Sequence, residues 1–318
     1  MKREPAIYAA LLLAALAVAF RTWRREDRPS AAPGTVVPWH ERADAIVALD
    51  YNWPGHRIQI RRLGPAGSSY LWATEDTTGF VVDSAAGQHL LDGLATPHAL
   101  RDLGAAGARQ RHAFGLDTTH TRLVIGFRDG RRELTIGSAT YFSGDRYVLD
   151  GASRHVYVLP QETLQPLESA DEMLVEHRMH GFKPGRVAAV TLRAGARTWT
   201  RHRLGPVTDS AAAAASATWA PVTGPQRPDA AFATFLQRLD ALWAVSYATH
   251  LDPRALTPVL RVDYADGHGR PLGFLELLRR PGAGPTPEYF ALSELSRVPV
   301  RLYPGVGDNL SSDIANGL

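Results

Sequence analysis

Residues 145–160 read DRYVLDGASRHVYVLP, two runs of alternating apolar and polar side chains separated at Asp150-Gly151. A period of two marks a strand with one buried face. The Asp-Gly step predicts a tight hairpin in which glycine supplies a positive φ. On this reading Asp145, Asp150, Arg154 and His155 are charged residues of a solvent face and carry no chemistry.

The pattern extends in both directions. From Ala45 the segments IVALDYN, RIQIRRL and SYLWATED predict a meander, and TRLVIGFRDG and RRELTIGS add strands with Asp129-Gly130 as a second hairpin signal. Between them Asp83 opens a helix whose Leu90, Leu91 and Leu94 share one face and whose first free amides the Asp83 carboxylate can accept. After Gly185 the order recurs: VAAVTLRAG, RTWTRHRLG and ATWAPV, a helix from about Asp229, then LRVDYADG, PLGFLELLRR, EYFALSEL and VPVRLYP. In that second helix Phe232, Phe235, Leu236, Leu239, Leu242 and Trp243 fall on one stripe. Leu91-Asp92-Gly93-Leu94 is answered by Leu239-Asp240-Ala241-Leu242, Gly130 by Gly267, Tyr147 by Tyr289, and Ser153-Arg154 by Ser296-Arg297.

The predicted fold is therefore α+β, with two tandem repeats, each of antiparallel strands with a packed helix, after an N-terminal transmembrane helix. The expected divisions are a membrane anchor at 1–26, a linker at 27–44, a first repeat at 45–168, a connecting helix at 169–186, a second repeat at 187–304 and a tail at 305–318. Ser169 and Glu172 form a capping-box pattern at the start of the connecting helix. The alanine run 211–215 reads as a loop insertion.

The anchor rests on residues 6–20, AIYAALLLAALAVAF, an uncharged run framed by MKREP and RTWRRE. It is shorter than the roughly 20 residues that span a bilayer, but Pro5, Trp23 and the flanking arginines extend it into the interface. Ala17-Val18-Ala19 keeps a cleaved signal peptide as the alternative. The flanking charges do not decide the orientation. Ala10 with Ala14 and Ala15 with Ala19 make small-xxx-small pairs, the expected anchor-packing surface.

Charge argues against a nucleic-acid partner. Of 35 basic and 32 acidic residues, the six basic and three acidic ones up to Arg28 account for the whole net +3, so no basic stripe remains beyond the anchor. The absence of cysteine removes disulfides, thiolate metal sites and cysteine nucleophiles. No G-x-S-x-G elbow or phosphate loop occurs. The run EHRMH, with Glu176, His177 and His180, invites a zinc reading, yet its histidines are three apart where a zincin helix needs four. It reads as a solvated helix end, with Glu172, Glu176 and His180 on one helical face. No catalytic, cofactor-binding or metal-ligating residue is assigned, and no cofactor is expected.

The stretch FGLDTTHTRLVIGFRDGRRELTIGS, then DRYVLDGASRHVYVLP, then the EHRMHGFKPGRVAAVTL junction resembles a bacterial family known only as a domain of unknown function. The motifs are Gly115-Leu116-Asp117, the Leu134-Thr135-Ile136-Gly137 strand and the 147–160 hairpin. Members are typically anchored by one N-terminal helix, and their genes often lie beside gliding-motility-type ABC-transporter components. The resemblance implies a non-enzymatic accessory subunit in the bacterial inner membrane, single-pass with its soluble domains in the periplasm. Its partners would be ABC-transporter membrane subunits or related envelope proteins, or the transporter's cargo. An enzyme acting on envelope polymers and a structural or adhesion module are the alternatives.

Overall fold

The computed structural model describes residues 36–65, 67–141, 143–209, 217–280 and 287–317. The anchor segment, with Ala10, Ala14, Ala15 and Ala19, and the alanine run 211–215 lie outside the described residues. Among the described residues no helix is long and apolar enough to cross a membrane.

The fold is mixed α+β, built on two antiparallel sheets with few helices. In chain order the first elements are β1 (Ile46–Trp53), β2 (His56–Leu63), β3 (Tyr70–Glu75), β4 (Thr78–Val81), α1 (Ser84–Ala95), β5 (Arg101–Ala105) and α2 (Ala108–Ala113). They continue with β6 (Arg122–Phe127), β7 (Gly130–Ala139), β8 (Arg146–Asp150), β9 (His155–Leu159), α3 (Gln161–Glu168) and α4 (Ala170–Met173). Then come β10 (Ala189–Ala194), β11 (Arg197–Leu204), β12 (Thr218–Pro221), α5 (Ala230–Asp240), β13 (Ser246–Tyr247) and β14 (Thr257–Ala265). The last are β15 (Pro271–Arg280), β16 (Glu288–Ser293), β17 (Val300–Arg301) and α6 (Val306–Asn316).

The described residues divide into two compact units, each made of two pieces: 36–46 with 91–164, and 47–90 with 165–317. In the first unit the strands follow the order β6-β7-β8-β9-β5. Leu123, Ile125, Leu134, Ile136, Val148 and Val156 alternate inward along them and are essentially unexposed. Trp39 closes this core, its indole N–H donating to the Leu94 carbonyl at 2.9 Å while the Arg132 guanidinium lies 4.6 Å over its ring.

The hairpin of β8 and β9 forms as the alternation predicts, but its turn works differently. Gly151 is not the left-handed residue; Arg154 is, with φ 62°. Asp150 organises the loop: its carboxylate accepts from the Ala152 and Ser153 amides at 3.2 and 3.0 Å and from Arg132 at 2.9 Å. Asp150 is fully buried, so the expectation of a solvated charge is corrected: a carboxylate can go inside when its lone pairs are met. Gly151 is needed for closeness, because a Cβ there would lie 3.0 Å from the Glu133 carbonyl oxygen.

In the second unit β4-β3-β2-β1 form the expected meander, with β4 an addition. The other sheet runs β12-β11-β10-β14-β15-β16-β17-β13. Helix α5 lays Phe232, Phe235, Leu236 and Leu239 on this sheet, capped by Asp229, whose carboxylate accepts from the Phe232 amide at 3.0 Å. It ends at Asp240, so Leu242 and Trp243 are not on its stripe; Leu242 is buried and Trp243 is 47% exposed. At 305–318 the sequence reading assigned no element. There α6 buries Leu310 and Ile314, and Gly307 lies so close to the Tyr289 ring that a side chain could not fit.

Candidate functional site

The second unit contains a cleft of about 560 Å³. One wall is the β3–β4 hairpin, whose two-residue turn Asp76-Thr77 puts Asp76 at φ 49°, with Glu75 and Thr78 paired at its base. Asp76 is fixed there by exchange with Arg57: its amide donates to the Arg57 carbonyl at 2.8 Å, and its carboxylate accepts from the Arg57 amide at 3.0 Å. His56, stacked on Trp53, points Nδ1 toward the same carboxylate at 3.5 Å. The opposite wall is Asp171 of α4, Val175, His177 and the segment Val245, Ser246 and Tyr247.

Phe80 and Tyr247, both buried, meet at the base of the cleft with ring centroids 6.5 Å apart, and Trp72 meets Tyr247 edge-on at 6.3 Å. The Tyr247 hydroxyl donates to the Glu176 carbonyl at 2.7 Å. Burial, and secondarily the Glu176 charge, raises that phenol well above its ordinary range, so it stays protonated.

Glu75, Asp76 and Asp171 bring three carboxyl groups to the cleft, and among the described residues no lysine or arginine lines it. The crowding registers on Glu75, whose carboxyl is raised by burial first and then by the charges of Asp171 and Asp76, against a smaller opposing pull from His56. β4 and β13 are each the last strand of their sheet order, so the cleft is flanked by two terminal strands. The outer side of β4 is covered at its C-terminal end, where Val82 bridges Val175 and the Glu176 amide donates to the Val81 carbonyl at 2.8 Å. The cleft therefore offers carboxylates over a buried aromatic base, beside two terminal strands, a combination suited to an extended, positively charged ligand.

The EHRMH run departs from its sequence reading. α4 stops at Met173, because the chain turns extended to make the Val82–Val175 bridge, so Glu172, Glu176 and His180 share no helical face. The run is a packed strap and no solvated helix end. Glu176, 2% exposed, accepts from the Arg178 amide and side chain, and Arg178 reaches on to Asp83 at 3.0 Å. His177 donates from Nδ1 to the Ala244 carbonyl at 2.7 Å and stacks on Trp243 at 4.6 Å. Met179 is buried, and His180 directs Nδ1 at the Glu294 carboxylate at 3.1 Å while packing against Phe182 and Tyr264. Among the described residues no three histidine, aspartate or glutamate side chains are arranged to hold a metal ion.

The cleft residues escaped sequence reasoning because they come from separate segments. The available signal was the acidic turn ATEDTTG and the acidic SADEM, both free of lysine and arginine. Neither announces the other.

Comparison with known proteins adds one result. Neither the curated proteins nor the solved structures contain a match to this chain. A family model described as "Domain of unknown function (DUF4340)" matches residues 72–258, from β3 through the start of β14 and including most of the cleft lining. With more than half of its length inside that match, the chain belongs to the DUF4340 family.

Proposed function

We propose that the protein is a non-enzymatic binding subunit, held in the bacterial inner membrane by its N-terminal segment with its soluble domains in the periplasm. In this reading it serves an ABC-transporter-type complex, and its cleft takes an extended, lysine- or arginine-bearing segment of a transporter subunit or cargo protein. The observation that carries the reading is the cleft itself, with three carboxyl groups and no lysine or arginine among its described lining residues, beside two terminal strands. Opposite charge would bring the segment in, and strand edges would hold its backbone.

The soluble part is, in the same proposal, a duplicated unit. β12-β11-β10 repeats the order β3-β2-β1, and β14-β15-β16-β17-β13 repeats β6-β7-β8-β9-β5. β7 and β15 are both ten residues long and bury the same positions: Leu134, Ile136 and Gly137 in one, Leu275, Leu277 and Leu278 in the other.

Binding of labelled extended peptides to the full-length protein in mild detergent tests the reading. Basic peptides should bind at least about tenfold more tightly than acidic ones of the same length, since like charge at such a surface repels. Glu75→Gln with Asp171→Asn should remove most of that preference. Equal binding of both peptide classes, or an unaffected double variant, would refute it. Transporter membrane subunits should co-purify with the full-length chain, and Ala10→Leu with Ala14→Leu should keep the protein in the membrane but weaken that co-purification.

A further inference from the structure

Beside the cleft, the second unit carries a groove of about 350 Å³ between the C-terminal end of α5 and the start of α6. Leu242, Leu302 and Leu310 form its buried floor, and Trp243 and Tyr303 stand over it, 47% and 57% exposed. The stretches that line it are tied together twice: Arg238 of α5 pairs with Asp313 of α6, and the Val245 amide donates to the Arg301 carbonyl at 3.0 Å. The fold itself thus sets the shape of the groove. Two exposed aromatic rings over an apolar floor are the mark of a surface that is covered in use.

The groove and the cleft are lined by one continuous piece of chain. Leu242 and Trp243 line the groove, and Val245, Ser246 and Tyr247 line the cleft. Ala244 between them is buried and fixed to the strap: its amide donates to the His177 carbonyl at 3.0 Å and its carbonyl accepts from His177 Nδ1 at 2.7 Å. The side chains share a wall as well. His177 lines the cleft and stacks on Trp243 of the groove, with centroids 4.6 Å apart and planes 10° from parallel, so one face of the indole is held in place. At most about 14 Å of extended chain separates Trp243 from Tyr247, so a segment lying in the cleft reaches the groove within about four residues.

Charge decides what the groove takes. Arg238 is the one charged side chain among its described lining residues, and Asp313 already engages it. A second cation would meet that guanidinium, and an anion would have to compete with Asp313 for it, which leaves an apolar group as the occupant. We propose that cleft and groove form one two-part binding surface: an extended ligand segment sets a basic side chain against the cleft carboxylates and, about four residues away, seats a large apolar side chain between Trp243 and Tyr303. This inference rests on the basic-segment reading of the cleft and adds to it the second determinant of specificity. His177 acts as a positioning residue, since it touches both halves and orients the indole.

Labelled peptides of about ten residues, varied at two positions, test this on the full-length protein in lipid nanodiscs, where no free detergent can fill the groove. One position carries arginine or glutamate and the other, about four residues away, phenylalanine or serine, with both orders made. In the better order, peptides with arginine and phenylalanine should bind about tenfold more tightly than those with arginine and serine, the effect of burying one aromatic side chain. Tyr303→Ala, which trims an exposed ring, and Trp243→Ala should each reduce that ratio to about twofold or less. A ratio unchanged in both variants would overturn the proposal, because the apolar side chain would then sit elsewhere. Equal binding of phenylalanine and serine peptides, with arginine still preferred to glutamate, would overturn the groove alone. Equal binding of arginine and glutamate peptides would overturn the cleft reading and the two-part surface with it.

Discussion

Arg154 and Arg297 adopt the same left-handed backbone, φ 62°, at corresponding turns: the Arg154 amide bonds the Asp150 carbonyl and the Arg297 amide the Ser293 carbonyl. Left-handed geometry costs a non-glycine residue about 1–2 kcal/mol. The two sites differ in what the side chain returns. Arg297 places its guanidinium 3.8 Å over the Tyr70 ring, whereas among the described residues no ring contact of this kind is found at Arg154. Arg154→Gly should therefore raise the thermal midpoint, by about 0.5–1 kcal/mol of stability, while Arg297→Gly should gain less or nothing because the stacking is lost. Thermal melts of the two variants side by side check this; equal gains would show that the stacking contributes nothing.

Asp150 is a fully buried charge. Burial pushes its carboxyl up, but hydrogen bonds from Ser153 and the Ala152 amide, with Arg132, pull it further down, so the net value lies below the ordinary range. Asp150→Ala should cost about 3–5 kcal/mol, because it strands Arg132 and two loop amides. Since the folded value is depressed, the stability Asp150 contributes is complete above the ordinary carboxylate range and is lost as pH falls through the folded value. Denaturant titrations at pH 7 and pH 3 should show the variant's deficit shrinking at low pH.

Glu75 has the opposite sign. Its folded carboxyl is raised, so its charge is a penalty at neutral pH that fades on acidification. Glu75→Gln should leave stability at pH 7 unchanged or slightly higher, within about 0.5 kcal/mol, while weakening capture of a basic peptide. A large loss of stability would mean that the carboxylate is structural and would remove it from the binding role.

The strap's two histidines should separate cleanly. His180→Ala removes the partner of Glu294 in a site where the ring is 10% exposed, and about 2–3 kcal/mol of stability should go with it. His177→Ala should cost about 1 kcal/mol, one hydrogen bond and the stacking on Trp243. If His180→Ala is as mild as a surface substitution, the strap is not packed as described.

The long strands were readable because residues such as Leu134 and Ile136, or Val262 and Tyr264, alternate with polar neighbours and point inward. The helix at Ser84 was readable from Asp83, whose carboxylate accepts from the Ala85 and Ala86 amides at 3.0 and 2.8 Å. What escaped has physical reasons. β13 is two residues long and β5 is mostly exposed, so neither shows a period. Helix α5 looked longer than it is because Leu242 and Trp243 fit its spacing, but Ala244 is drawn away by the His177 carbonyl. The burial of Asp150 and Glu176 depends on Arg132 and Arg178 reaching them, and a local pattern of polarity has no means of expressing that. The cleft is a tertiary product throughout, assembled from residues as far apart in sequence as His56 and Tyr247.

The pairing of β13 has a consequence for the order in which the molecule is made. Ser246 and Tyr247 pair with Arg301 and Val300, the Val245 amide bonds the Arg301 carbonyl and the Ala248 amide the Pro299 carbonyl. A chain folding as it emerges can complete the local meanders early, since each strand finds its partner within a few residues. The Tyr247 wall has no such neighbour and must wait some fifty residues, until Val300 and Arg301 arrive. A nascent chain thus passes through most of its folding before it owns a finished pocket.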